Sequence, residues 1–241
     1  MPSHLPARLI LGAALLVLAL PGRQGSCQEL AFERYTLPNG LSVTLHEDHR
    51  LPRVAVNLWY YVGSKDEPAG RSGFAHLFEH LMFMGTEKVP VGQFDSIMEG
   101  AGGSNNATTS TDRTNYFESG PRELLELFLF LEADRMTGLS SAMTLDKLNI
   151  QRGVVRNERR QSYENRPYGK VWLEIPPLMF PPEHPYHHSV IGSHEDLESA
   201  SVKDVVEFFK DFYFPANASL VITGDFDPLE ARALVAKYFG A

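Results

Sequence analysis

His76 and His80 stand four residues apart in the stretch RSGFAHLFEHLMFMGTEKVP, residues 71–90, with Glu79 between them. Residues four apart share one face of a helix, about one turn from each other. Two imidazoles so placed can aim their nitrogens at one point, and zinc takes nitrogen at about 2.0–2.1 Å. Glu79 can stand beside such a metal without ligating it. There it would accept the proton of a water made acidic by the metal. The alternative is a polar helix edge on which two histidines cap or pair. Leu77, Phe78, Leu81, Met82, Phe83 and Met84 crowd the same helix, so much of it is expected to be buried. Buried His and Glu need partners, and a metal would satisfy both histidines.

Two histidines call for a third ligand. VVRNERRQSYE, on a helix expected over about 146–164, offers Glu158 beside the apolar Val154 and Val155. Taken alone, a surface glutamate paired with the neighbouring Arg159 or Arg160 explains Glu158 as well. His184, His187, His188 and His194 fall within eleven residues and form a rival cluster. Their spacing has no helical register and prolines precede them, so they read as loop residues with ordinary hydrogen bonds.

The elements that must hold these groups follow from periodicity. Leu41, Val43 and Leu45 alternate with polar residues, as do Val54, Val56, Leu58 and Tyr60. Both runs read as half-buried strands, expected to pair antiparallel with each other, and Asn39-Gly40 is a hairpin signal. From Phe74 the period becomes helical through Leu77, Phe78 and Leu81, with Gly85 as the stop. A second helix is expected over about Val91–Gly100, with Phe94, Ile97 and Met98 inward. AGGSNNATTSTDRTNYFES reads as a loop leading into a strand. PRELLELFLFLEADRM reads as a helix starting near Pro121, apolar almost all round and deeply buried. IPPLMFPPEHPYHHSVIGSHEDL reads as a long loop. SVKDVVEFFKDFY is an amphipathic helix, ASLVITGD a buried strand and DPLEARALVAKYFG a closing helix. The order indicates an α+β fold with a mostly antiparallel sheet packed against several helices.

The 241 residues carry a formal net charge of −8, with 43% hydrophobic residues, and no basic patch points to nucleic acid. Arg8 precedes an unbroken apolar run from Leu9 to Leu20, too short to span a bilayer and fitting the core of a signal peptide. Gly25 and Cys27 are small residues at −3 and −1 of a cut before Gln28, so residues 1–27 are expected to be a leader and 28–241 the mature domain. The alternative, a buried hairpin, lacks any pattern that continues from the run. Export to a periplasm or out of the cell follows. Cys27 is the only cysteine, and membrane attachment would require its lipidation. Gln24 stands where a lipoprotein leader carries an aliphatic residue, which favours the unanchored form.

These residues together resemble the pitrilysin/insulinase-type zinc metallopeptidases, whose signature is the inverted motif H-x-x-E-H followed by a glutamate ligand on a later helix. Here HLFEH is separated from Glu158 by 77 residues. GAGGSNNATTSTDRTNYF is similar to the family's Gly-Gly…Asn-Ala-x-Thr segment. HPYHHSVIGSHEDLESASVKDVVEFF and YFPANASLVITGDFDP resemble its later blocks, so the likeness spans nearly all of residues 31–241. The resemblance implies one zinc on His76, His80 and Glu158, with Glu79 as the general base. It also implies that Asn106 and Ala107 lie on an edge strand that receives an extended peptide. Gln151 occupies a position where many members carry a second glutamate, two turns before the ligand and about 10 Å from it. It can hydrogen-bond behind the site without adding charge. Members usually pair this domain with a second, similarly folded one that closes over the substrate. A second homologous domain or subunit is therefore expected, this chain being either a fragment or one of two subunits. The expected function is a zinc-dependent endopeptidase acting on peptides or small unfolded proteins. The rival is a non-catalytic peptide-binding or scaffolding subunit of the same fold.

Overall fold

The computed structural model describes residues 30–240. The leader expected over 1–27, Cys27 and the cut before Gln28 lie outside them. Six strands form one sheet: β1 (Glu33–Thr36), β2 (Ser42–Glu47), β3 (Arg53–Tyr60), β4 (Ser104–Thr109), β5 (Thr114–Pro121) and β6 (Ala218–Gly224). Eight α-helices accompany it among the described residues. They are α1 (Phe74–Leu81), α2 (Gln93–Gly100), α3 (Leu125–Ala142), α4 (Leu145–Arg159), α5 (Val171–Met179), α6 (His194–Ser199), α7 (Val202–Phe212) and α8 (Pro228–Phe239). None of them is long and apolar enough to cross a membrane.

The architecture is the expected α+β, but the strand order is β1-β2-β6-β3-β5-β4. β2 and β3 do not pair with each other. The late strand β6 enters between them, parallel to β2 (Val43 opposite Leu220) and antiparallel to β3 (Val56 opposite Ile222). Two half-buried neighbours in sequence carry no mark of the strand that will separate them. The Asn39-Gly40 hairpin signal is borne out, closing β1 onto β2. Gly40 takes φ +92°, and a Cβ there would lie 2.6 Å from the Cβ of Ala216, so the turn requires glycine.

Alternation puts Val43, Leu45, Val54, Val56, Leu58, Tyr60, Leu220 and Ile222 in the core. NNATTSTDRTNYF is a full hairpin, not a loop and one strand. β4 pairs antiparallel with β5 and forms one edge of the sheet. The loop expected from Ile175 to Leu197 begins inside helix α5, with Pro176 and Pro177 near the helix end, and finishes inside α6. The two prolines remove backbone donors at the last turns, and the helix stops at Met179. α1 ends at Leu81, short of Gly85, which instead serves a tight turn at φ +70°. The 3₁₀ turn Arg122–Leu124 separates Pro121 from α3.

α3 is buried as expected, yet not by apolar residues alone. Glu132, Asp134 and Arg135 are buried with it. Arg135 Nε donates to Glu132 Oε2 at 2.8 Å, and Nη2 donates to Glu118 Oε1 of β5 at 3.0 Å. Its guanidinium lies 4.4 Å from the ring centre of Tyr116 and 4.8 Å from that of Phe94. Burial, followed by the nearby Glu132, pushes the Glu118 carboxyl well above its ordinary range.

Candidate functional site

α1 starts at Gly73, which adopts φ +85° and has no side chain to cap the helix. A Cβ there would lie 2.7 Å from the carbonyl oxygen of Ile191, so this end needs glycine. The cap comes from Glu67, six residues upstream. Its carboxylate accepts from Gly73 N at 3.0 Å and Ala75 N at 2.7 Å, meeting donors that a helix start leaves open. Ser72 is tied to α6 in turn, donating through N and Oγ to Asp196 Oδ2 at 3.0 and 2.5 Å. Leu77, Phe78 and Leu81 are fully buried, which fixes the rotation of α1. His76 and His80 then face α4.

There they meet Glu158. Its Oε2 lies 3.8 Å from His76 Nε2 and 3.3 Å from His80 Nε2, and one ligand atom from each of the three residues lies within 4.8 Å of the others. The imidazole planes cross at 85° with centroids 4.8 Å apart. Burial, helped by the neighbouring His80, pushes His76 down to about 4, so its ring is neutral near pH 7. The partnership with His80 holds Glu158 below its ordinary value. His76 Nδ1 is buried with no hydrogen-bond partner among the described residues, so the polar contacts of this ring lie on the Nε2 side. Imidazole nitrogens and an ionised carboxylate converging at this spacing form a donor set that fits zinc.

Glu79 sits beside the triad, 8% exposed. Burial raises its carboxyl pKa, opposed by a hydrogen bond in which Thr109 Oγ1 donates to Glu79 Oε2. Thr109 carries no signal of its own in the sequence, although it lies in the same NNATT stretch as Asn106 and Ala107. Those two residues lie on β4 and line a cleft of ≈ 680 Å³ together with His76, Glu79, His80 and Glu158. Asn106 Oδ1 accepts from Ala107 N at 2.8 Å. Tyr163 also lines the cleft, from a π-helical turn at Arg160–Glu164 that no periodicity announces. Gln151 directs its amide nitrogen to Met84 Sδ at 2.8 Å, behind α1.

The four histidines of the rival cluster are not brought together. His187 Nδ1 meets the Phe180 carbonyl at 2.8 Å, and His194 Nε2 meets Glu164 Oε1 at 3.0 Å. His188 Nδ1 lies 3.5 Å from Glu67 Oε2, and His184 Nδ1 accepts from Tyr186 N at 3.0 Å.

Residues 42–173 match the family model of the insulinases, peptidase family M16. Residues 199–241 match the model described as the peptidase M16 inactive domain, a stretch holding none of the triad. The chain is 33% identical to the zinc protease PqqE of Helicobacter pylori over 98% of its own length and 53% of that protein. It is 30% identical to the A-factor-processing enzyme of Saccharomyces cerevisiae over 83% of its length and 20% of that protein. Among solved structures, a protease from Helicobacter pylori superposes with a TM-score of 0.83 at 33% identity, covering 89% of this chain and 51% of that one. Pitrilysin, at 23% identity and a TM-score of 0.78, shares the fold. The chain thus spans about half the length of the Helicobacter protease and less of the yeast enzyme.

Proposed function

The chain belongs to the insulinase family of peptidases, M16, and we propose that it is the zinc-bearing half of an exported metalloendopeptidase. The observation that carries this reading is the convergence of three ligand atoms within 4.8 Å in the cleft that also holds Glu79. His76 Nε2, His80 Nε2 and a Glu158 oxygen would hold the metal. Zinc would supply a Lewis acid that polarises the scissile carbonyl and acidifies water.

The chain's own groups do the rest. Thr109 occupies Glu79 Oε2, which leaves Oε1 to take a proton from the attacking water. The same carboxyl then passes that proton to the leaving amine nitrogen. In the metal-free chain burial raises its pKa, and a bound cation beside it would oppose that shift. The open edge of β4, at Asn106 and Ala107, holds the peptide as an added strand and reads main chain more than side chain. Export rests on the pattern of residues 8–27. A second, substrate-closing domain or subunit rests on the match to only about half of the Helicobacter relative.

The test is Glu79→Gln in the chain assembled with its second half. Zinc should remain bound, by metal analysis, while cleavage of a quenched peptide is lost. Retained cleavage sinks the mechanism. The partial coverage of the relatives favours a second reading, a peptide-binding subunit that does not turn over by itself. Zinc and peptide binding without cleavage, both with and without the second half, would establish it.

A further inference from the structure

His76 and His80 lie on α1 and Glu158 on α4, so the geometry of the triad depends on how these two helices sit against each other. Leu148 and Val155 bury one side of α4, but apolar packing is non-directional. Directional contacts come from another face. Arg152, Arg156 and Arg159 recur along α4 at spacings of four and three, which puts them on one side of the helix. All three reach residues 192–200. Arg152 Nε and Nη2 donate to the carbonyl oxygens of Leu197 and Ala200 at 2.9 and 2.5 Å. Arg156 Nη1 donates to Glu198 Oε2, on a side chain 60% exposed. Arg159, the residue after Glu158, is 16% exposed. Its Nη1 donates to the Gly192 carbonyl oxygen, and its Nε donates to Glu164 Oε1 at 3.0 Å. His194 Nε2 meets the same Glu164 oxygen.

The segment that Arg159 holds also grips the start of α1. Gly192 takes φ +70°, and a Cβ there would lie 2.3 Å from the Cα of Gly73. Ser193 N donates to Ser72 Oγ at 3.0 Å. One residue, Gly192, thus has its backbone against the first turn of the histidine helix and its carbonyl bound by the neighbour of the carboxylate ligand.

We propose that Arg159 is a positioning residue for the metal site: by binding Gly192 and Glu164 together, its guanidinium sets where Glu158 stands relative to His76 and His80. This rests on the zinc-binding reading above. The role calls for the guanidinium fork and not for positive charge alone. A carbonyl and a carboxylate are held from two edges of one rigid plane, whereas a lysine ammonium is a point charge on a flexible stem. Groups behind metal ligands typically cost 10–100-fold in metal affinity when removed.

The test uses the full chain, stripped with a chelator and reloaded with zinc or cobalt(II). Arg159→Gln and Arg159→Lys are compared with Arg152→Gln. The last also removes two carbonyl contacts between α4 and the same segment, but about 9 Å along the helix from Glu158. Zinc affinity is read by competition with a chromophoric chelator, site geometry by the visible absorption of bound cobalt, and stability by the urea midpoint of the metal-free chain. Both Arg159 variants should bind zinc about tenfold more weakly or worse and change the cobalt band. Arg152→Gln should lower the urea midpoint while zinc affinity and the cobalt band stay those of the parent. Should Arg159→Gln fail to fold, Arg159→Lys carries the test. Parent-like zinc affinity and cobalt band in Arg159→Lys would mean that charge suffices, and overturn the proposal. So would an equal loss of zinc affinity in Arg152→Gln, which would reduce the effect to general loosening of α4. In either case the parent's metal site stands. A parent chain that binds neither ion overturns the zinc reading and this inference with it.

Discussion

Thr109 Oγ1 donates a hydrogen bond to Glu79 Oε2, joining the last residue of the sheet edge to the carboxyl on α1. A peptide laid on β4 would therefore bear on the strand that orients the proposed base. A hydrogen bond to an ionised carboxylate contributes about 1.5–3 kcal/mol. Its loss would raise the Glu79 pKa further, because donation favours the charged form.

Thr109→Val should accordingly lower kcat by about tenfold or more, by the size of that hydrogen bond, with little change in KM. The acid limb of the rate profile should move to higher pH. Thr109→Ser keeps the hydroxyl and should restore most of both. A Val variant with unchanged kcat and profile would show that the contact is incidental. Steady-state kinetics across pH measures all of this.

Metal-free protein should lose stability in mild acid through His76. Its pKa is depressed to about 4 from an ordinary 6.5. Between those values the unfolded chain binds a proton that the folded chain does not, so stability rises with pH from about 4 to 6.5 and then levels. The full effect is about 3 kcal/mol by linkage, as an upper figure for this group. Urea titrations of chelator-treated protein should show the slope, and His76→Gln should flatten it. An equal slope in His76→Gln would place the acid sensitivity elsewhere.

Much of this fold and site is legible in the sequence, for local reasons. Val54, Val56, Leu58 and Tyr60 announce a half-buried strand by alternation alone, and all four are buried. His76, Glu79 and His80 share one turn, so their spacing alone places them together. Glu158 is different. A lone glutamate among arginines has no local signature, and only the family likeness singles it out. The insertion of β6 between β2 and β3 is a pairing across more than 150 residues that no window can see. The same holds for Glu67, whose partners are backbone groups, and for Thr109, one of several threonines in a polar run.

Glu67→Ala should loosen the start of α1. It removes the acceptor for two helix N–H groups and leaves a gap where a fully buried side chain stood. Loss of a cap costs about 0.5–2 kcal/mol, and the two orphaned donors push toward the upper end. Because α1 carries both histidines, zinc affinity should fall along with the urea midpoint. Glu67→Gln keeps one good acceptor and should fall between the two. If the Ala variant matches the parent in both measurements, Gly73 and its close packing hold the helix start without help.

The buried trio around Arg135 gives the sharpest stability contrast. Arg135 faces two fully buried glutamates, with Nε donating to Glu132 and Nη2 to Glu118. Arg135→Met would leave both carboxyls without their cation, and removing one partner of a buried pair costs about 3–5 kcal/mol. The carboxyls would respond by staying protonated to higher pH, so the variant should lose more stability at pH 8 than at pH 5. Adding Glu118→Gln and Glu132→Gln to Arg135→Met removes the uncompensated charge and should recover a large part of the loss. It should also abolish the extra sensitivity at pH 8. Thermal and urea unfolding of the single and triple variants at both pH values tests this. A triple variant no more stable than the single one would mean that the trio matters through shape and ring packing against Tyr116 and Phe94, with charge pairing secondary.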